Sequence, residues 1–548
     1  MASRLLVNRG ITTPEEAHRF LHPRYDDLPD PLLLPDADAA VERIERAIRQ
    51  KERIFIHGDY DVDGVTSAAL WMRLLGKLGA DVMVHVPHRR RDGYDMKTEF
   101  VQHAKAEGAK VILTCDCGIQ RCDEVEEARE AGIDVIITDH HEPGPTLPRA
   151  IAVVNPHRAD SAYPFLELSG VGVAFRLGEA LCQRMGFSVD HYRRAYSDLA
   201  AVGTVADMMV LRDDNRVLVK FGLEALAETR KPGLQALMKS AGLLDKTLDA
   251  DSVGYRIGPR LNAIGRVDDA KIALDLLLTK DIKEAEALAE RLETANVDRR
   301  QEEDRILREA MEMLAKGDYS DSYCIVLAGE NWNSGVVGIV AGRIKERTGR
   351  PTILLSLDPE TGTAGGSARS IGPFNVKEAL DSCSNYLVEY GGHAQAAGMR
   401  LSTENLPSFV EAVNQLAREQ LTEADMEPCF ECEVEIEPTQ VTPALLKELC
   451  LFEPWGRGNH RPLFVSRNIR LSDIRRMGKE SQHLKLRGQY DGLYVPDSVA
   501  WNVGDYADHL HVGDHVDLCY KPQFNTWNGN TSIQFLIEDI RPSDADEW

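Results

Sequence analysis

At 548 residues the chain is too long for one ordinary hydrophobic core, and its length suggests roughly three or four domains. A hydrophobic content of 43% excludes a disordered or low-complexity chain, and no apolar run approaches the roughly 20 residues that span a bilayer. The net charge of −24 argues against a generic DNA-coating protein, but it leaves room for a nucleic-acid enzyme with a locally basic groove.

The N-terminal residues MASRLLVNRGITTPEEA lack a signal-peptide core, and ten scattered cysteines fit reduced thiols better than a disulfide framework. A cytoplasmic protein is therefore expected. The CxxC pair, Cys429 and Cys432 in PCFECEVEIE, reads as part of an alternating strand, since no nearby spacing supplies further zinc ligands.

From about residue 50 to 210, strand and helix signals alternate. Apolar RIFIH precedes a helix through TSAALWMRLLGKLG; DVMVHV, KVILTC and DVIITD follow, with helical TEFVQHAKAEG and EVEEAREAG between them. Such alternation implies βαβ crossovers and a mostly parallel sheet. Helices through VGVAFRLGEALCQRMG and YRRAYSDLAAVGTVADMM complete the segment. Residues 281–316 contain no Gly or Pro and are heavily charged, which predicts one long helix acting as a solvated connector rather than a core element. Strands YCIVLAG, PTILLSL and TAGGSARS, with helices through GVVGIVAGRIKERTG and NVKEALDSCSN, predict a second, smaller α/β unit. After about residue 428 come short strands broken by turns: FECEVEIE, RPLFVSRNIRLSDIRRM, SQHLKLRG, HVDLCYKPQF and TSIQFLIEDIRP. With WNGN as a hairpin turn, these predict a small β-barrel, for which EPWGRGNHRP (453–462) is the approach.

Three of the strands run into acids and histidines: RIFIHGDYDVDG, KVILTCDCG and DVIITDHH. The carboxyl ends of neighbouring parallel strands open onto one crevice, so Asp59, Asp61, Asp63, Asp116, Asp139, His140 and His141 should converge. Asp207, in AVGTVADMM, can join them from a helix. So many carboxylates repel one another unless cations lie between them, and hard divalent ions suit oxygen and imidazole donors. The residues therefore point to a multinuclear metal site for cutting phosphate esters. For any one of these groups taken alone, an exposed turn or a packed histidine is the blander reading; His57 ranks below the acids for that reason.

The series GDxDxDG, Asp at a strand end, DHH and VADMM resembles the DHH superfamily of phosphoesterases. PRLNAIGR (259–266), SGVVGIVAGR (334–343) and GGHAQAAG (391–398) are similar to later motifs of the bacterial RecJ single-strand exonucleases. The resemblance runs from about residue 50 through the barrel. It implies an α/β multidomain fold: an N-terminal extension (1–49), a parallel-sheet DHH catalytic domain (50–210), a helical region with the long connector helix (211–320), a DHHA1 substrate-binding domain (321–425) and an OB-fold (426–548).

Carried over residue by residue, the resemblance implies that Asp61, Asp63, Asp116, His140 and Asp207 bind two Mn²⁺ or Mg²⁺ ions, with Asp116 bridging and Asp59 a further ligand. His141 is then expected to contact the scissile phosphate, oriented by Asp139. Arg89, Arg266, Ser367 and Arg369 resemble a pocket for a terminal 5′ phosphate, and His393 in GGHAQAAG a donor near the cut site. The implied activity is 5′-to-3′ hydrolysis of single-stranded DNA to mononucleotides in repair and recombination. Arg467, Arg470, Arg475 and Arg476 lie near Trp501 and Trp527 in the expected barrel and offer a strand grip, although core packing is the default for either Trp. A monomer is expected, with a helicase and a single-strand-binding protein as candidate partners and no membrane. The alternatives are a DHH/DHHA1 phosphodiesterase of short oligonucleotides or cyclic dinucleotides, a manganese pyrophosphatase, and a catalytically dead single-strand-binding scaffold.

Overall fold

The computed structural model describes residues 1–543 apart from Arg90, Tyr94, Asp268, Pro428 and Asn528, and gives no side chains for Arg266, Val267 and Trp527. It divides into two compact units: Met1–Val86, Tyr94–Gly258 and Phe430–Trp548 form the first, and Pro87–Gly93 and Pro259–Cys429 the second.

In the first unit, strands β1 (Arg53–Gly58), β2 (Asp81–His85), β3 (Val111–Cys115), β4 (Asp134–Thr138) and β5 (Ala152–Val154) form a wholly parallel sheet in the order β2-β1-β3-β4-β5. β3 is buried throughout, as a strand covered on both faces requires. One face packs Phe55, Ile112, Val135 and Ile137 against Val101, Ala104, Val125 and Ala128. On the other lie helices α1 (Val62–Lys77), α2 (Gly170–Arg184) and α3 (Val189–Ala206), followed by α4 (Asp213–Ala227), which packs along α3. Nearly all of α1 is buried, Trp71 included, because it packs against the sheet, α2 and α3 together. The strand order reverses between β1 and β3, so a crevice opens there at the carboxyl ends.

In the second unit, β6 (Ile325–Glu330), β7 (Thr352–Asp358), β8 (Thr363–Arg369), β9 (Leu387–His393) and β10 (Ala396–Ser402) form a sheet ordered β6-β7-β8-β10-β9, parallel only between β6 and β7. The long helix is present as α5 (Ile282–Lys316), yet its second half is not a solvated connector. Ile306, Leu307 and Ala310 pack into a core with Val337, Val340 and Ile344 of α6 (Val337–Thr348), and buried Glu303 takes ion pairs from Arg299 and Arg343. Charge density misled here, because the charged rows of α5 flank a narrow apolar stripe. GGHAQAAG is the end of β9, a two-residue turn and the start of β10, with Ala396 opposite His393.

The barrel belongs to the first unit. Its strands are β11 (Val434–Glu435), β12 (Phe464–Met477), β13 (His483–Tyr490), β14 (Leu493–Tyr494), β15 (Asp497–Ala500), β16 (His515–Trp527) and β17 (Asn530–Pro542). Pairing of β12 with both β13 and β16 closes a ring of β12, β16, β17, β15 and β13. Only Val434–Glu435 of FECEVEIE is strand, and DSVA supplies a strand the sequence pattern did not suggest. Phe464, Tyr520 and Phe535 fill the interior, with the last two rings stacked at 3.8 Å. Leu5 and Leu6 of the N-terminal extension join that core.

Candidate metal centre

The backbone places the acids before any side chain does. Asp59 N–H donates to the Cys115 carbonyl, Asp116 N–H to Thr138 and Asp139 N–H to Val154, so the ladder of the sheet continues into each acidic residue. Asp116 sits at φ 64, a left-handed conformation that costs a non-glycine residue energy and that clusters at functional sites. Asp61 is the N-cap of α1, accepting from the N–H groups of Asp63 and Gly64. Asp63, within the first turn, is wholly buried. Its two carboxylate oxygens accept from the first amides of α2, Gly170 N–H at 2.6 Å and Val171 N–H at 2.8 Å. Gly170 permits that approach; a Cβ there would fall 2.6 Å from the Asp116 side chain. Asp207 closes the set from the C-cap of α3.

These residues meet. His140 Nε2 lies 3.1 Å from Asp116 Oδ1, 3.6 Å from Asp207 Oδ2 and 3.9 Å from Asp63 Oδ2. Asp59, Asp61 and Asp116 form an adjoining group, and His141 reaches within 3.8 Å of Asp116. Donors held at about 2.1 Å around one octahedral ion stand about 3 Å apart, so this spacing is that of a ligand cage. Oδ1 of Asp59 and Oδ1 of Asp116 are buried without a hydrogen-bond partner, among the described residues, which is costly for groups that have nothing else to bind.

The electrostatics agree. Burial, then the charges of Asp63, Asp61, Asp207 and Asp59, hold the Asp116 carboxyl well above the usual range. Burial and Asp61 do the same to Asp59, and burial with Asp63 and Asp61 to Asp207. Asp63 is pushed up to about 7 by burial and Asp61. His140 is pushed down to about 3 by burial and by His141, which keeps its imidazole neutral and fit to ligate. The donor set of hard oxygens with one neutral nitrogen fits divalent Mn or Mg.

Asp139 does not face this cage. Its Oδ2 accepts from Ile119 N–H, while Oδ1 takes the N–H groups of His140 and His141 and lies 2.7 Å from His141 Nδ1. Burial works against His141 carrying charge, but the Asp139 hydrogen bond and the charges of Asp139, Asp207 and Asp61 push it up to about 9. His57 packs against the rings of His85 and Phe100, and burial drives it down to about 3.

The other sequence-derived residues lie in the second unit. Arg89 is half-buried in the segment Pro87–Gly93, and the Arg266 side chain falls outside the described residues. Arg369 Nη1 donates to Ser367 Oγ at 2.8 Å, and both reach the N-terminal turn of α6, where a Cβ on Gly338 would lie 2.9 Å from each. A guanidinium and a hydroxyl, both half-buried at a helix N-terminus, make an anion cradle. SGVVGIVAGR signalled this helix, but nothing in it revealed that Gly338 is what lets the Arg369 and Ser367 side chains come close. His393 is exposed at the end of β9.

In the barrel, Arg467 pairs with Glu435 and Asp517, Arg475 with Asp473 and Arg476 with Asp508, so their charge is largely answered locally. Arg470 is exposed on β12. Trp501 is 52% exposed rather than in the core, and Tyr494 at 77% and Phe524 at 38% also show ring surface. Cys429 and Cys432 lie ahead of β11 rather than in a strand, and Cys432 Sγ lies 3.3 Å from Cys519 Sγ on β16.

Residues 53–204 match the DHH family, N-terminal domain, and with the acid-lined crevice they define a DHH-family protein. Residues 320–419 match the DHHA1 domain and 432–539 the RecJ OB domain. The chain is 38% identical over its whole length to the single-stranded-DNA-specific exonuclease RecJ of Bacillus subtilis, covering 68% of that protein. It is 35% identical to RecJ of Escherichia coli, over 98% of this chain and 95% of that one. The crystal structure of RecJ in complex with Mn²⁺ from Thermus thermophilus superimposes with a TM-score of 0.84 at 34% identity, over 99% of this chain and 76% of that one. The chain belongs to the RecJ family.

Proposed function

We propose that the chain is a metal-dependent 5′-to-3′ exonuclease that hydrolyses the phosphodiester bonds of single-stranded DNA to mononucleotides, working in the cytoplasm in repair and recombination. The observation that carries this reading is the meeting of His140 with Asp116, Asp63 and Asp207, brought from four separate segments to within 3.1–3.9 Å of one imidazole nitrogen. Likeness over 98% or more of this chain to single-stranded-DNA-specific exonucleases supports the substrate.

Asp59, Asp61, Asp63, Asp116, His140 and Asp207 hold the two ions. When bound, these supply an activated water near neutral pH and positive charge for the phosphate oxygens. Asp63 is kept in place by the α2 amides, and Asp139 fixes His141 so that its second nitrogen donates to the scissile phosphate. Arg369 and Ser367, at the N-terminus of α6, bind the terminal 5′ phosphate, with Arg89, Arg266 and His393 as further contacts. Exposed Tyr494, Trp501 and Phe524 give the barrel ring faces on which bases stack. A monomer suffices for this chemistry, and a helicase that unwinds duplex and a single-strand-binding protein are its natural associates.

Long single-stranded DNA labelled at one end or the other, digested with Mn²⁺, Mg²⁺ or chelator, tests the reading. Mononucleotide released first from the 5′ label, and only with metal, is expected. Release from the 3′ label first, or digestion in chelator, contradicts it.

A further inference from the structure

The loop ahead of the barrel, EPWGRGNH over 453–460, packs on residues 207–212, the stretch that begins with Asp207. Leu211 N–H donates to the Arg457 carbonyl at 2.8 Å, Arg212 Nε to the Gly458 carbonyl at 2.7 Å, and Arg457 Nη1 to the Met208 carbonyl at 3.3 Å. Met208, the residue after the ligand, has φ 56 and is 69% exposed, so Asp207 is followed directly by strained, outward-facing backbone. The two glycines flanking Arg457 make the contact possible. A Cβ on Gly456 would lie 2.6 Å from Leu211, and Gly458, at φ +73, would bring one to 3.2 Å from Val210.

The loop is itself rigid. Buried Asn459 gives its amide to the carbonyls of Phe452 and Pro454, and Gly456 and Asn459 exchange two backbone hydrogen bonds. Arg216 of α4 donates to the carbonyls of Leu451, Phe452 and Glu453 and also to Phe20, whose ring its guanidinium overlies at 4.0 Å. This ties the chain ahead of the barrel to the helix that follows 207–212.

We propose that loop 456–458 is a brace for the metal centre: it fixes the backbone that carries Asp207, and Arg457 is a positioning residue for that ligand. The domain that grips the strand thereby also supports the cage that cuts it. The inference rests on the metal-centre reading above. It differs from a purely electrostatic role by its sign: losing only the positive charge of Arg457 would tighten cation binding, whereas losing the brace weakens it.

Mn²⁺ titration followed by the electron paramagnetic resonance of the free ion reads this without any need for activity. For Arg457→Ala, the affinity of the more weakly held ion is expected to fall about tenfold or more, the size of effect seen when the support of a ligand is removed. kcat should fall while KM for long single strands changes little, and Arg457→Lys should recover part of the affinity. Gly458→Val, which pushes the loop off Val210, should act in the same direction; if it does not fold, Arg457→Ala carries the test alone. Wild-type affinity in Arg457→Ala, or tighter binding, overturns the brace, as does a change confined to KM. A wild-type protein that binds no Mn²⁺ would instead sink the metal-centre reading on which the brace stands.

Discussion

His140 Nε2 stands 3.1 Å from Asp116 Oδ1, two atoms delivered by the adjacent strand ends of β4 and β3. Burial and then four neighbouring acids oppose the ionisation of Asp116, which makes it the first ligand to test. Asp116→Asn should lower hydrolysis by three orders of magnitude or more, roughly the scale of losing a ligand that organises both ions. Without metal, the same variant should be more stable than the wild type by on the order of 1 kcal/mol, because a carboxyl that the fold forces to stay protonated is gone. Thermal unfolding in chelator checks the second point, and a destabilised Asp116→Asn would contradict it.

In the proposed mechanism Asp139 acts through His141. With the 2.7 Å contact removed in Asp139→Asn, His141 loses the main influence that lifts it to about 9. A protonated donor persists below its pKa and is lost above it. The alkaline fall in kcat should therefore begin about one pH unit or more lower in the variant, with Mn²⁺ affinity little changed. An unshifted profile would separate Asp139 from catalysis.

Stability should also report the cage. Asp63 has an ordinary value of 3.8 and is raised to about 7 in the metal-free fold, by burial first and then by Asp61. Between those values the folded state holds a proton that the unfolded state has released. The contribution of Asp63 is thus complete below its unfolded value and is lost as pH rises through 7, at up to about 1.4 kcal/mol per pH unit. Mn²⁺ binds the deprotonated set, so the rise in Tm on adding Mn²⁺ should be larger at about pH 7.5 than at about pH 5. A gain independent of pH would contradict the assignment.

Arg369 is half-buried beside Ser367 at the N-terminus of α6. Arg369→Ala should raise KM about tenfold for a 5′-phosphorylated strand and much less for a 5′-hydroxyl strand, and Arg369→Lys should not restore the preference, because an ammonium lacks the planar fork. Equal losses on both substrates would remove the terminal phosphate from the pocket.

Much of this was legible in sequence because parallel strands end together: once RIFIH, KVILTC and DVIITD are read as neighbours, their trailing acids must share a crevice. Asp207 was reachable through its motif. What holds the ligands was not legible. Gly170 N–H donating to the Asp63 carboxylate, and the Arg457 guanidinium donating to the Met208 carbonyl from 249 residues further along, are long-range contacts between side chain and backbone that no local pattern encodes. The core-forming half of α5 was missed because its dense charge, counted by composition, hides an apolar stripe; Ile306 and Ala310 are spaced to face one side. Trp501 was weighed as core because tryptophan usually is, but it lies just beyond β15, where the barrel surface is open.

Whether one set of side chains encloses two ions is read by anomalous diffraction at the manganese edge, from crystals grown with Mn²⁺. Two peaks roughly 3.5–4 Å apart are expected, ringed by Asp59, Asp61, Asp63, Asp116, His140 and Asp207 and with Asp116 touching both. Peaks elsewhere, or none among these six residues, would contradict the account.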